Sequence, residues 1–572
     1  MIGGNLAVRV RPGCYARPMP PHRLRANRTP RGLELALLVA MGSACSNADP
    51  AGATEVPDAG DDALVATDSR SGGDGSGGDA PGGDARDADT RPAADVAVDT
   101  RPTGDVAPPG DGGVTPGPTG CAPLAVTPGD VEGSPADTVA WSDSDCHPRS
   151  AALLRNDGND AFGEHGGYLR SLVYQVAGKT RTIRGTGTHG WQGFGYIVSH
   201  YGSGGSASET QGIAGSWRTV LAGRHHAIHE FKWQISPGAP VDVTVHWVFA
   251  TGRSHPLFAI TYDATPAGKD VVKADSRAPY GDMAWDDGAG GDVTGVGWGD
   301  QYALVTTAGP VTPSSPWDYT ATNRVPHAFE WSTPTDAEMG LVSTETFAEH
   351  VLGGDYGDGI LVGVQGKTGS KLLTDIPDWE WPFQLNQYEL PFLSSSHRVA
   401  WGASFGAVGQ SAYTAFGKTL SGYPYQSYTV QVVLGTHGTS AVKGAVDAVE
   451  ARVRVKVSAT RGTVATRGVA GVGRTDEASY VTAGFDPLYD AWAIDVASNA
   501  ATVSVDTGGA PLRMPTFELR GWTASAPPTT VVVAGKTLTA DVDYFATVDT
   551  AGKRLWLTLD STWNGVVTLS VD

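Results

Sequence analysis

The chain has 572 residues, with 41 Lys and Arg against 61 Asp and Glu and a formal net charge of −20. That balance excludes the basic footprint of a nucleic-acid binder, and 4 cysteines are too few for a disulfide-framework protein. Its 76 glycines and 16 tryptophans suit a loop-rich β protein.

Residues 33–44 form an apolar run that ends in small residues and is followed by Cys45, with Arg23, Arg25, Arg28 and Arg31 ahead of it. A run of about a dozen is too short to cross a bilayer core, which takes about 20. It has the length of a signal-peptide apolar segment. Apolar run, small residues and cysteine together resemble bacterial lipoprotein signal sequences, although Gly42 stands where that family usually has Leu. The resemblance implies export, cleavage before Cys45, lipidation of Cys45 and an address at the outer membrane or cell surface.

From Ser46 to Gly120 there are 15 Asp and Glu against 4 Arg, a net of −11. The segment Asp89-Thr90-Arg91-Pro92 returns as Asp99-Thr100-Arg101-Pro102. Acidic repeats with few apolar side chains cannot bury a core and are expected to stay unstructured. A flexible chain of this length spans on the order of 50 Å, enough to hold a folded body clear of a lipid surface.

Of the four cysteines, Cys14 lies in the segment expected to be removed and Cys45 is the lipid candidate. Cys121 and Cys146 are left as an even pair in an exported protein, which predicts a disulfide.

From residue 121 the pattern alternates with the period of strands. Residues 224–235, 241–249 and 257–262 read as a three-strand antiparallel meander. Further strands are expected at 302–307, 359–364, 398–404, 427–434 and 452–457, with helical signal only near 441–453. This predicts an all-β fold: a large antiparallel β-sandwich, supersandwich-like, over 121–458. After a connector at 462–473, strands at 491–496, 501–505, 516–519, 530–533, 554–559 and 565–571 predict a smaller, immunoglobulin-like sandwich over 459–572.

Treating 236–240 as a hairpin loop places Glu230 opposite His246, Lys232 opposite Thr244 and Gln234 opposite Asp242, all on one face. Phe231, Trp233, Val243, Val245 and Trp247 take the other face and form the core. A carboxylate beside an imidazole is what acid/base chemistry uses. It is also what a solvated cross-strand ion pair looks like. A second cluster runs from Trp379, Glu380 and Trp381 through Asn386, Tyr388 and Glu389 to His397 and Arg398. Flat rings among polar groups suit the apolar and hydroxylated faces of a sugar, so Trp379, Trp381 and Trp285 are expected to bind substrate. Oxygen-rich, glycine-bent stretches at 156–160, 282–288 and 355–359 could hold Ca²⁺, or could be ordinary Asx turns. No cofactor is required.

Other motifs fail on inspection. Ser404 sits in a GxSxG pattern, but no acidic residue lies between it and His437, the one histidine downstream. His225 and His229 have helical metal spacing but lie in a strand, which separates them by about 13 Å.

The body, over about residues 150–450, resembles the β-sandwich polysaccharide lyases and mutarotase-like sandwiches, on its long alternating strands with His, Tyr, Arg and Asn between aromatic loops. The resemblance implies an enzyme acting on an extracellular polysaccharide by β-elimination beside a uronic acid. Tyr388, His397, Arg398 and Asn386 are the first candidate set, and His246 with Glu230 the second. Glycoside hydrolysis would instead need two carboxylates about 5–9.5 Å apart, for which Asp282, Asp286, Glu380 and Glu389 are the candidates. The competing class is a non-enzymatic glycan-binding or adhesion lipoprotein.

Overall fold

The computed structural model describes residues 113–572 apart from 158–160, 162–163, 177, 186–192, 202–205, 236–239, 264, 268–273, 286–294, 300–303, 308–324, 326, 333–335, 345, 348–383, 386–397, 406–424, 466–478 and 481–482. The chain is all-β, and the alternation along its strands divides into two large sheets with one core between them. In the first, nine strands run in the order Leu304–Thr307, Gly295–Gly299, His327–Ser332, Ala337–Ser343, Tyr425–Thr436, Leu257–Asp263, Val241–Ala250, His226–Ile235 and Ser216–Ala222. The second, ten-stranded sheet is built on Arg398–Phe405, Ala274–Trp285, Lys179–Gly185, Tyr168–Val176, Pro148–Leu154, Ser134–Ser142 and Ala125–Val131. Phe231, Trp233, Val243, Val245 and Trp247 point inward and are buried between the sheets. Trp247 meets Phe258 edge-on at 5.3 Å between ring centroids. Each such side chain contributes about 1.5–3 kcal/mol relative to exposure.

The meander pairs in the register expected from its hairpin: Glu230 with His246, Lys232 with Thr244 and Gln234 with Asp242. Helix Ala441–Arg452 closes one end of this sandwich and buries Val442, Ala445, Val446 and Val449. Its Ser440 N-cap makes no side-chain cap. Instead the buried Glu338 carboxylate accepts the Val442 N–H at 2.8 Å, doing from a neighbouring strand what a capping residue does locally. The helix runs to Arg452 and the next strand is Lys456–Arg461, so the strand expected at 452–457 begins later. The strand expected at 359–364 lies outside the described residues.

The first core ends with Val449 and a separate one begins at Val455. The second core lies between a five-stranded sheet and a six-stranded sheet, antiparallel except that Ala491–Asp495 and Thr516–Arg520 run parallel. Part of the stretch expected to be unstructured over 46–120 is ordered: Gly113–Pro116 is a strand paired with Ser561–Asn564. Val114 supplies an apolar side chain to that core, which the acidic repeats before it cannot do. Cys121 and Cys146 are disulfide-bonded, as their pairing by elimination required.

Strict alternation fails in one instructive place. Along His226–Ile235 the first six residues are all buried, and only from Lys232 do buried and exposed positions alternate. The second sandwich covers the outer face there. Ile228, Val248 and Leu257 pack with Ala491 and Trp556, and His226 Nε2 lies 2.9 Å from Thr558 Oγ1. Residues 224 and 225, expected in the strand, form the turn before it. Arg224 and His225 pair there with Asp541 at 2.8 and 2.7 Å. Gly223 is needed at this contact, since a Cβ on it would stand 1.9 Å from Thr547 Cγ2.

The disulfide closes a loop with a sequence separation of 25. Replacing Cys121 and Cys146 by Ser is expected to cost about 3 kcal/mol, measured as a lower urea midpoint for the double variant than for the parent protein.

Candidate functional site

The meander's outer face has two ends. One is covered by the second sandwich, and the other is open beside it. The open end forms a groove of about 550 Å³. Lys232, Gln234, Asp242, Thr244 and Asp263 line its floor, with His246 and Tyr489 where the cover begins. These residues share a face because each sits at an alternate position of a paired strand. Asp242 and Asp263 are direct cross-strand partners, and Gln234 Nε2 donates to Asp242 Oδ1 at 3.0 Å.

Glu230 and His246 meet at the groove's inner edge. His246 Nε2 is 3.1 Å from Glu230 Oε2, and its Nδ1 is 3.0 Å from the Tyr489 hydroxyl. In the neutral imidazole, Nε2–H donates to the carboxylate and Nδ1 accepts the phenol proton. Arg218 Nε and Nη2 grip the two oxygens of Glu230 at 2.6 and 3.0 Å, and Lys232 Nζ stands 3.5 Å away. Burial pushes the Glu230 carboxyl up, but hydrogen bonds from His246 and Arg218 outweigh it and hold the group at about 2. The Tyr489 phenol is pushed up, first of all by burial. Its ring stacks on His246 at 6.0 Å and meets Trp556 edge-on at 5.4 Å. Behind it Arg554 Nη1 reaches Glu518 Oε1 at 2.7 Å, and Arg520 bonds both Glu518 and Asp486 at 2.7 Å.

The arrangement is a Glu–His–Tyr chain whose carboxylate stays ionised. An imidazolium formed on His246 would be held by Glu230 on one side, and the Tyr489 hydroxyl lies on the other. Such a chain can move a proton between the Tyr489 oxygen and His246.

Trp379, Glu380, Trp381, Asn386, Tyr388, Glu389 and His397 lie outside the described residues, as does Asp286. Arg398 opens the strand Arg398–Phe405 opposite Ala284, next to Trp285; their side chains are not among those described. Both belong to the ten-stranded sheet, whereas Glu230 and His246 belong to the nine-stranded one. Asp282 is in the strand Ala274–Trp285 rather than in a loop, its backbone pairing with Ala400, and residues 286–288 of that stretch lie outside the described residues. Asn156 is buried, with its Nδ2 on the Lys232 carbonyl at 3.3 Å. Among the described residues, Asp143, Asp145 and His147 come within metal-ligand reach of one another. Asp143 Oδ1, however, already accepts the backbone N–H of Asp145 and His147, and Oδ2 accepts from Arg149 Nε. It is an Asx turn.

Tyr489 and Arg218 escaped the sequence reading. Arg218 had a usable signal, since Ser216–Ala222 pairs with His226–Ile235 and sets it opposite Glu230. Tyr489 had none, because 243 residues separate it from His246.

No protein-family model matches the chain, and neither does any curated protein. Among solved structures it is similar to an alpha-mannosidase from Enterococcus faecalis V583, at 9% identity and a TM-score of 0.24, over 82% of this chain and 51% of that one. It is also similar to a protein in the glycosyl hydrolase family 38 from Enterococcus faecalis, at 8% identity and a TM-score of 0.21, over 82% of this chain and 53% of that one. The chain spans about half the length of the structures it matches. Function rests on the chemistry of the site itself.

Glu230 has a lowered folded-state value, so its contribution to stability is complete above its ordinary value of 4.5 and is lost as pH falls toward about 2. The shift corresponds to about 3 kcal/mol. Glu230→Gln is therefore expected to destabilise the protein at pH 6 and to flatten the acid limb of stability against pH, measured by urea midpoints between pH 6 and pH 3.

Proposed function

We propose that the protein is an exported, membrane-tethered, carbohydrate-active enzyme that takes an extracellular polysaccharide into the groove beside Tyr489. The observation that carries this reading is the Glu230–His246–Tyr489 chain at the wall of a groove of about 550 Å³. That volume is within the ordinary range for ligand sites. The floor offers carboxylate, amide, hydroxyl and ammonium groups at alternate strand positions, a set that matches the donors and acceptors of a polyhydroxylated chain.

The chemistry that suits the chain is β-elimination beside a uronic acid. The proton next to the sugar's carboxylate passes to the Tyr489 oxygen as the phenol's own proton moves to His246 Nδ1. The electron pair forms the new double bond, the glycosidic C–O bond breaks, and the proton returns to the leaving oxygen. Glu230 stabilises the transient imidazolium, and Lys232, half-exposed at the groove, faces the uronate charge. Hydrolysis is the second chemistry, with the cross-strand pair Asp242 and Asp263 as its two carboxylates. A non-enzymatic glycan-binding role is the competing reading, favoured by one observation: the His246–Tyr489 bond also joins the two sandwiches.

Incubation with a panel of uronic and neutral polysaccharides separates these readings. Ultraviolet absorbance reports unsaturated products and reducing ends report hydrolysis. Elimination is expected on a uronic polymer, with His246→Gln slowing it by about 100-fold or more while polymer retention persists. Retention of polymer without product from any substrate overturns the enzymatic reading and supports the binding one.

The lipid anchor on Cys45 is part of the same proposal. Mass spectrometry of the mature N-terminus is expected to find a diacylglyceryl-modified Cys45. A lipid-free N-terminus, or a Cys45→Ala protein that stays with the membrane, would contradict it.

A further inference from the structure

A second cavity, of about 320 Å³, is walled by both sandwiches and by helix Ala441–Arg452. Its charged groups do not balance. Asp490, almost fully buried, pairs with both Arg253 and Arg452, so two guanidiniums share one carboxylate. The other arginines nearby are matched, Arg149 by Asp143 and Arg513 by Asp145. Burial pushes Arg253 down to about 10, which still leaves it charged at neutral pH. Among these described groups one positive charge is left over, and Arg253 Nη1 turns to the Met514 carbonyl and Thr516 Oγ1 at 3.3 and 3.4 Å.

Gln431 is 6% exposed, and its Nε2 is buried with no hydrogen-bond partner among the described residues. His255 Nδ1 accepts the Leu434 N–H at 3.3 Å. Burial pushes this imidazole down to about 3, so the ring is neutral and the proton sits on Nε2. The ring also bonds the Ser254 backbone. Phe485, Leu512, Met514, Ala445 and Ala448 supply the apolar part of the wall.

We infer that this cavity is a binding site for a ring-sized carboxylate, its anionic group among Arg253, Arg452 and Gln431 and its ring against the apolar part of the wall. A planar carboxylate matches a guanidinium fork in shape as well as in charge. The volume admits one ring and not a polymer. The site is independent of the groove and does not rest on the catalytic reading. Because both sandwiches contribute to its wall, a bound ligand holds them together and raises the temperature at which they unfold.

Isothermal titration and thermal melts of the full chain, at ionic strength held constant with sodium chloride, test the inference. The probes are sodium glucuronate, sodium benzoate and glucose. At least one carboxylate is expected to bind one-to-one and raise the melting temperature, while glucose does neither. Binding of glucuronate alone identifies a sugar acid, and binding of benzoate alone an aromatic acid. Gln431→Leu is expected to weaken binding by about tenfold, the loss of one hydrogen bond to a charged group, and Gln431→Glu, which sets a carboxylate against the anion, by more. Circular dichroism shows whether each variant is folded, and either folded variant decides the matter. The inference is overturned if neither carboxylate binds, if glucose binds equally, or if affinity survives in the folded variants.

Discussion

Burial of one half of an otherwise solvent-facing sheet surface governs what this protein can do. The meander of the nine-stranded sheet carries Ile228, Val248 and Leu257 on its outer face, and these need cover. The second sandwich supplies it with Ala491 and Trp556. Where that cover stops, the sheet's polar positions are left facing a wall instead of bulk water. The groove lies where that cover ends.

The same boundary explains the electrostatics. Glu230 lies at the margin of the dry contact, where a carboxylate without partners would be protonated. Arg218, His246 and Lys232 surround it and keep it charged. Tyr489 arrives from the second sandwich to satisfy the imidazole's other nitrogen. The pair is then a half-buried relay rather than a surface ion pair, which would be worth little. On the second cavity's wall the logic reverses. There the two sandwiches bring two arginines to one aspartate, with the Gln431 amide nitrogen unpaired among the described residues, a composition that favours an anion.

Much of the local structure was legible in the residues. The run from Phe231 to Ile235 and from Val241 to Val245 alternates so regularly that a single hairpin register satisfies both faces, and a slip by one residue would turn Trp233 out to water. Glu230 facing His246 follows from that register alone. Helix Ala441–Arg452 was visible in its spacing of Val442, Ala445, Val446 and Val449. The limits of this reading appear where partners are remote. His226 and Ile228 looked like members of a half-exposed strand, since nothing near them in the chain signals that Trp556 and Thr558 will cover them.

By itself the amino-acid sequence determined the all-β character, the meander's register, the cysteine pair and the polar set on one sheet face. These are consequences of period, turn spacing and elimination, and each acts over a few residues or within one hairpin. Only the tertiary structure decided that Tyr489 bonds His246, that Arg253 and Arg452 converge on Asp490, and that Gly113–Pro116 pairs with Ser561–Asn564. The reason is physical: docking depends on the fit of two finished surfaces, and complementarity between surfaces hundreds of residues apart leaves no periodic trace in either one.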